Sequence, residues 1–200
     1  MGVVTVDLSM SLDGFIAGAH DGPDNPLGDG GAVLFQWWTA GTVRIGPDDR
    51  FRPHESSRAV VEAMFEGGAM ITGRRTFDIA GGWGGHHPFG MPFFVVTHRP
   101  VERWVGQGTQ GTAVYDGLDS ALRQARAVAG DRTICVAGAD VAQQLLRAGQ
   151  LDEVRIHLVP AVLGSGVRLF DHLDGQRFTL ESLETVVSQG VTHLRYGVVK

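Results

Sequence analysis

A single cysteine in 200 residues excludes a disulfide within the chain, and it fits a reducing compartment. Cys135 lies in Thr-Ile-Cys-Val-Ala, which reads as a buried strand carrying an inert thiol. Runs of basic residues are missing and the net charge is −5, which argues against a general nucleic-acid binder. No apolar run approaches the length of a membrane span, so no membrane partner is expected. Met1 leads straight into a strand pattern without a secretion leader, and a cytoplasmic protein is expected. The pair His86-His87 has no third ligand at a useful spacing, so no metal site is expected.

What the chain has in excess is glycine, 29 residues, about twice the usual share. The glycines collect at 28–31, 67–68, 81–85 and 164–166, where loops that wrap a ligand are expected. The length suits one large α/β domain spanning 1–200. Residues 20–54 are polar and rich in glycine and proline, and the pattern predicts a lid-like insertion there. Within it, Val33 to Trp38 reads as a short helix. Its pair Trp37-Trp38 would line a cleft or form a subunit contact.

Around the insertion, strand and helix patterns alternate. Val3–Met10 is a strand and Asp13-Gly14 a turn, in which Asp13 is either a turn former or an acid. Glu55–Phe65 has helical spacing and stops at Gly67-Gly68. Ala69–Thr72 is a strand that runs into Gly73-Arg74-Arg75-Thr76 and a helical turn. A strand entering a helix start frees backbone N–H groups, and two guanidinium forks beside them suit a phosphate. On local grounds that turn is equally a solvated loop. Pro92–Thr97 is a further strand, and it places Thr97, His98 and Arg99 just past its carboxyl end, where ligands of parallel sheets bind.

Asp119 to Val128 reads as a helix with Asp119 as its N-cap and Gly130 as its stop. Thr133–Ala137 is a strand, and Gly138-Ala139-Asp140 opens the next helix in another small-residue turn. Leu151–Pro160 is a strand with His157 in its middle, facing away from Ile156 and Leu158. Leu163–Gly166 reads as a sharp loop, and Phe178–Val186 with Thr192–Val199 as a closing antiparallel hairpin. The pattern predicts a three-layer α/β fold, a mostly parallel sheet of about eight strands with helices on both faces.

Five blocks carry a family resemblance. They are Ser9–Ala17, Met70–Phe77, Phe94–Pro100, Ile134–Val141, and Leu151–Val154 extended through Val159–Phe170. With these the chain resembles the dihydrofolate reductase-like superfamily, in particular the reductase domain of riboflavin-biosynthesis deaminase-reductases. The resemblance implies an NADPH-dependent reductase of a C=N or C=O bond in a small heterocyclic or sugar-phosphate substrate. The substrate would be similar to the aminouracil ribosyl phosphate of riboflavin biosynthesis. It implies that Ile16 and Ala17 flank the nicotinamide, and that Gly73, Arg74, Arg75 and Thr76 hold phosphates. Thr97, His98 and Arg99 would surround the 2′-phosphate, and the segment Val136, Gly138, Ala139, Asp140 and Val141 would pass under nicotinamide and pyrophosphate.

Two departures from the family stand out. Many members have two glycines, joined by a cis peptide, where this chain has Ala137-Gly138. Folate reductases carry a carboxylate at a place that falls near Ser57, so a folate reductase is the weaker alternative. Facing that place across the cleft is His157. The expected catalytic pair is therefore His157 and Asp13, with Trp37, Trp38 and Ser57 about the substrate. A non-catalytic NADPH-binding module is the reading from another class. A homodimer through Trp37-Trp38 or the C-terminal hairpin is expected.

Overall fold

Polar and apolar residues alternate along the first strand, β1 (Val4–Ser11), and that alternation divides the whole molecule into two sides. Val4 and Val6 point to one face of the sheet and are fully buried, while Thr5, Asp7 and Ser9 point to the other. The computed structural model describes residues 2–47 and 50–200; Asp48 and Asp49 of the insertion lie outside the described residues.

The sheet has eight strands in the order β5-β4-β3-β6-β1-β7-β10-β9. In chain order these are β3 (Ala69–Gly73), β4 (Phe93–Val96), β5 (Gly111–Val114), β6 (Ile134–Ala137), β7 (Glu153–Val159), β9 (Leu180–Ser188) and β10 (Val191–Val198). From β5 to β7 every pairing is parallel, and the β9–β10 hairpin closes the far edge antiparallel. This is the predicted architecture, a mostly parallel α/β sheet with a C-terminal antiparallel hairpin.

Helices α3 (Leu118–Ala129) and α4 (Ala139–Arg147) cover the first face. Ala121, Leu122, Ala125, Leu145 and Leu146 pack there on Val4, Val6, Ile71 and Ile134. Helix α3 opens at Gly117 rather than Asp119, which lies inside the first turn; a glycine with φ 95° turns the chain there without a side-chain cap. On the second face lies α1 (Arg58–Met64), entered by a 3-10 turn at Glu55–Ser57, so the predicted helix is two elements. The short α2 (Arg74–Ile79) follows β3 directly.

The insertion is built into this second side. Its 3-10 stretch Gly31–Trp38 buries Leu34 and Trp37 with Phe51, Val61, Met64, Val159 and Val191 in one cluster. A strand not legible in the sequence, β8 (Gly166–Arg168), pairs with β2 (Phe15–Gly18) in a separate two-stranded sheet. Among the described residues no helix is long and apolar enough to cross a membrane.

Candidate active site

The carboxyl ends of β3, β4 and β6 open onto a cavity of about 1490 Å³ that continues across the second face of the sheet. All fourteen residues expected around the cofactor line it: Ile16 and Ala17 from β2, Gly73–Thr76, Thr97–Arg99, Val136 and Gly138–Val141. Neither α2 nor α4 has a side-chain cap at its N-terminus, so both starts present backbone N–H groups toward the cavity rim. Thr97 fixes its turn by a hydroxyl that accepts the Arg99 N–H at 3.1 Å and donates to the Arg99 carbonyl at 3.0 Å. Between the two helix starts, Gly138 holds φ 98°, and a Cβ there would penetrate the Thr76 hydroxyl. The Ala137–Gly138 peptide is trans.

The two arginines of the turn differ in a way their adjacency hides. The Arg74 Nε donates to Asp78 at 2.7 Å, and its Nη1 donates to the carbonyls of Pro100 at 2.9 Å and Arg99 at 3.3 Å. Arg74 thus braces the wall between two cavity segments. Arg75 reaches across the mouth to the insertion, where its Nη2 donates to the Asp21 carboxylate at 2.6 Å and the Asp21 carbonyl at 2.9 Å. Its side chain is 67% exposed, and it is the fork that an incoming anion can recruit.

The cavity floor is the polar side of the central strands. Asp7, Ser9, Cys135, Arg155 and His157 line it, because β1, β6 and β7 run in register and their alternate residues share a face. His157 donates through Nε2 to the Asp7 carboxylate at 2.7 Å. Burial alone would raise the Asp7 carboxyl, but the adjoining His157 and Arg155 outweigh it and hold it below the usual range. Burial, with Asp7 nearby, pushes the Cys135 thiol up to about 12, so it stays protonated and unreactive despite facing the cavity. Met64, Met70, Met91, Trp38 and Phe89 make the inner wall apolar.

Other expected site residues lie elsewhere. Asp13 does not face the cavity. It accepts the Ser11 hydroxyl at 2.6 Å and the backbone N–H groups of Gly164 at 2.7 Å and Leu163 at 3.1 Å, tying the β1–β2 turn to the loop before β8. Those bonds, the Ser11 one foremost, bring its carboxyl down to about 2, and they hold it as a loop staple away from the cavity. Trp37 is 3% exposed and packs behind the floor on the rings of His157 and His193. Ser57 is buried against His193 and not at the cavity. Trp38 does line the cavity, and its buried indole N–H has no protein partner, leaving a donor that a bound molecule could satisfy. Sequence reasoning missed Asp7 and His193. Asp7 carried a signal, since a carboxylate is the misfit in an apolar strand, whereas His193 had none without the register.

The family model described as RibD C-terminal domain matches residues 3–192. No curated protein matches the chain. Among solved structures, a Shewanella sp. PV-4 protein described as one of riboflavin biosynthesis superposes with a TM-score of 0.70 at 22% identity, over 99% of each chain. The dihydrofolate reductase of Enterococcus faecalis, complexed with NADP(H), gives a TM-score of 0.61 at 13% identity over 100% of this chain and 98% of that one. Acinetobacter baumannii RibD gives 0.60 at 16% identity, with this chain covering 59% of its length. At these identities the likeness is one of fold.

Proposed function

The chain belongs to the RibD C-terminal domain family of reductases, and we propose that it is an NADPH-dependent oxidoreductase acting on a C=N or C=O bond of a small heterocyclic or sugar-phosphate compound. The observation that carries this reading is the convergence of four sequence-distant segments on one cavity. Ile16-Ala17, Gly73–Thr76, Thr97–Arg99 and Val136–Val141 make a continuous rim, and the hydrogen-bonded pair of Asp7 and His157 lies on the floor below it.

When bound, NADPH supplies the hydride. The residues fit that group. Gly138 leaves the backbone bare where a pyrophosphate would pass over the α4 N-terminus, and Arg75 and Arg99 bring positive charge to the mouth for the phosphates, with His98 between Arg99 and the β4 end. The floor then needs only to orient the substrate and provide a proton, which the Asp7–His157 pair is placed to do. A folate substrate is the weaker reading, because α1 lends Ala63 and Met64 to the cavity and no carboxylate. The enzyme would act in the cytoplasm as a homodimer. Trp37 is buried and unsuited to a subunit contact, so the hairpin is the better candidate: edge strand β9 exposes Leu180, Leu183 and Val187.

The reading is tested by titrating NADPH into the protein and following the loss of reduced-nicotinamide absorbance. The aminouracil ribosyl phosphate is offered in one arm and dihydrofolate in the other. Oxidation with the first is expected. A protein that binds no NADPH would end the proposal, and binding without oxidation in either arm would favour a non-catalytic module.

The arginine pair gives a sharper test. Arg75→Ala is expected to weaken NADPH about 10- to 100-fold while moving stability by no more than about 0.5 kcal/mol, because an exposed ion pair holds little. Arg74→Ala removes three bonds that brace the wall and is expected to cost about 1–3 kcal/mol in urea unfolding. If Arg75→Ala left NADPH affinity unchanged, the phosphate assignment of this turn would be wrong.

A further inference from the structure

Behind the cavity floor runs a continuous line of polar groups that the reaction as described does not use. From the Asp7 carboxylate it passes to His157 Nε2 at 2.7 Å, then from His157 Nδ1 to His193 Nδ1 at 2.8 Å. His193 Nε2 meets the Ser57 hydroxyl at 2.8 Å, Ser57 meets Ser188 at 2.7 Å, and Ser188 meets Ser56 at 2.6 Å. The inner end, Asp7 and His157, lines the cavity; the outer end, Ser56, is exposed in the turn before α1 and does not line the cavity. Four strands and a turn build it: β1 and β7 in parallel register, β10 antiparallel to β7 with His193 opposite His157, β9 ending in Ser188, and the turn before α1. Trp37 lies over both imidazoles, at 4.8 Å and 4.9 Å between ring centres, and shields them from water.

From this arrangement the geometry points to a proton relay that joins the active-site floor to the outer surface and replaces the proton consumed with each hydride. The assignment rests on the reductase reading for its use, but not for its existence. Buried polar groups need one partner each, and a packed apolar side chain would serve stability as well as an imidazole pair. An unbroken file of six side chains from cavity to solvent is more than satisfaction of isolated groups requires. Every member between the ends has one atom that accepts and another, or the same hydroxyl, that donates. As placed, the Ser57 hydroxyl donates to Ser188, the sense that goes with a proton on Asp7; with Asp7 ionised, rotation of the Ser57 and Ser188 hydroxyls reverses that bond and the donors run Ser56 to Ser188 to Ser57 to His193 to His157 to Asp7. A proton entering from water at Ser56 shifts each proton one place inward and leaves Asp7 as the acid, with the same bonds now read in the opposite sense.

The balance is then complete. The hydride forms the C–H bond as NADPH becomes NADP⁺, the substrate π bond breaks onto its oxygen or nitrogen, and that atom takes the proton from Asp7. Asp7 returns to the carboxylate, water has supplied the proton, and hydroxyl rotation with imidazole tautomer exchange restores the first state. His193, Ser57 and Ser188 touch no substrate; they are relay residues.

Ser57→Ala cuts the line in its middle without touching the cavity, and Ser188→Ala cuts it nearer the surface should the first variant fold poorly. Ser57→Thr keeps the hydroxyl. Two readouts are taken on the full chain. One is turnover of NADPH with the aminouracil ribosyl phosphate, with NADPH affinity measured alongside. The other needs no substrate: nitrogen-15 NMR of the His157 and His193 rings, reporting tautomer and the exchange of their N–H protons with solvent. The expected result is that the alanine variants lower kcat about 10- to 100-fold at unchanged NADPH affinity and slow ring N–H exchange, while Ser57→Thr does neither. Wild-type kcat in a folded Ser57→Ala or Ser188→Ala protein would overturn the relay, as would unaltered exchange. If the wild type does not turn over the compound, the exchange measurement alone decides whether the line conducts, and the failure belongs to the reductase reading.

Discussion

Lowering the pH from 7 to 4 is expected to remove about 5 kcal/mol of folding stability, a third or more of what a domain typically holds. The two groups responsible are His193 and His87. Burial, with His157 adding to it at His193, keeps both rings from charging until about pH 4, against an ordinary 6.5. In the unfolded chain both take up protons as the pH falls below 6.5. Within that window the unfolded state binds protons that the folded state refuses, so the free energy of unfolding declines as pH declines. A shift of this size corresponds to about 3 kcal/mol for His193 and somewhat less for the half-buried His87. Asp7 does not offset the loss, since its depressed carboxyl titrates below the same window and would add to destabilisation only at lower pH. Urea midpoints at pH 7, 5.5 and 4 measure the effect, and His193→Gln should remove its share of the slope. A stability flat across that range would mean the imidazoles are not held neutral by the fold.

Gly138→Ala is expected to cost about 2–4 kcal/mol and to abolish measurable NADPH binding. Gly138 sits at φ 98°, ψ 146°, a region that L side chains rarely adopt. The added Cβ would also press on the Thr76 hydroxyl from the facing turn. Relief of that clash turns the Thr76 hydroxyl away or shifts the facing turn, and the strained backbone at 138 would move the α4 start that faces the ligand. Gly73→Ala is the matching control. Gly73 has φ −82°, and its added Cβ would rest 3.4 Å from a Val141 methyl, so a loss under about 1 kcal/mol is expected. Equal losses for the two variants, in urea unfolding and in NADPH titration, would show that the cradle does not depend on the glycine at 138.

Much of this protein is local and was readable without coordinates. A strand pattern closed by a glycine and reopened as a helix is a property of a few consecutive residues, and it recurs at Gly73 and Gly138, while at Thr97 the strand ends in a basic turn. Backbone N–H groups freed at such turns, with arginine beside them, mark an anion site whatever the rest of the chain does. The alternation of strand and helix implies a parallel sheet, and a parallel sheet collects those turns on one edge. The rim of the cavity therefore follows from local chemistry plus one rule of topology. The same locality explains the errors. Asp13, next to a glycine turn, looks the same in sequence whether it staples a loop or faces a substrate, and Arg74 and Arg75 look alike although one braces a wall and the other spans the mouth.

The floor could not be read in that way. Asp7 and His157 lie 150 residues apart, His157 and His193 lie 36 apart, and Ser57 and His193 lie 136 apart. Each contact exists only because strand register sets which alternate residues share a face, and a slip of one residue would turn them all away. Register is decided by packing over the whole sheet, with Val4 and Val6 driven under α3 and α4 and the polar set left on the other side. The sequence by itself determined the fold class and the rim that would hold a dinucleotide, because those depend on neighbours along the chain. Only the tertiary structure decided which acid and which imidazoles meet on the floor, because that depends on neighbours across it.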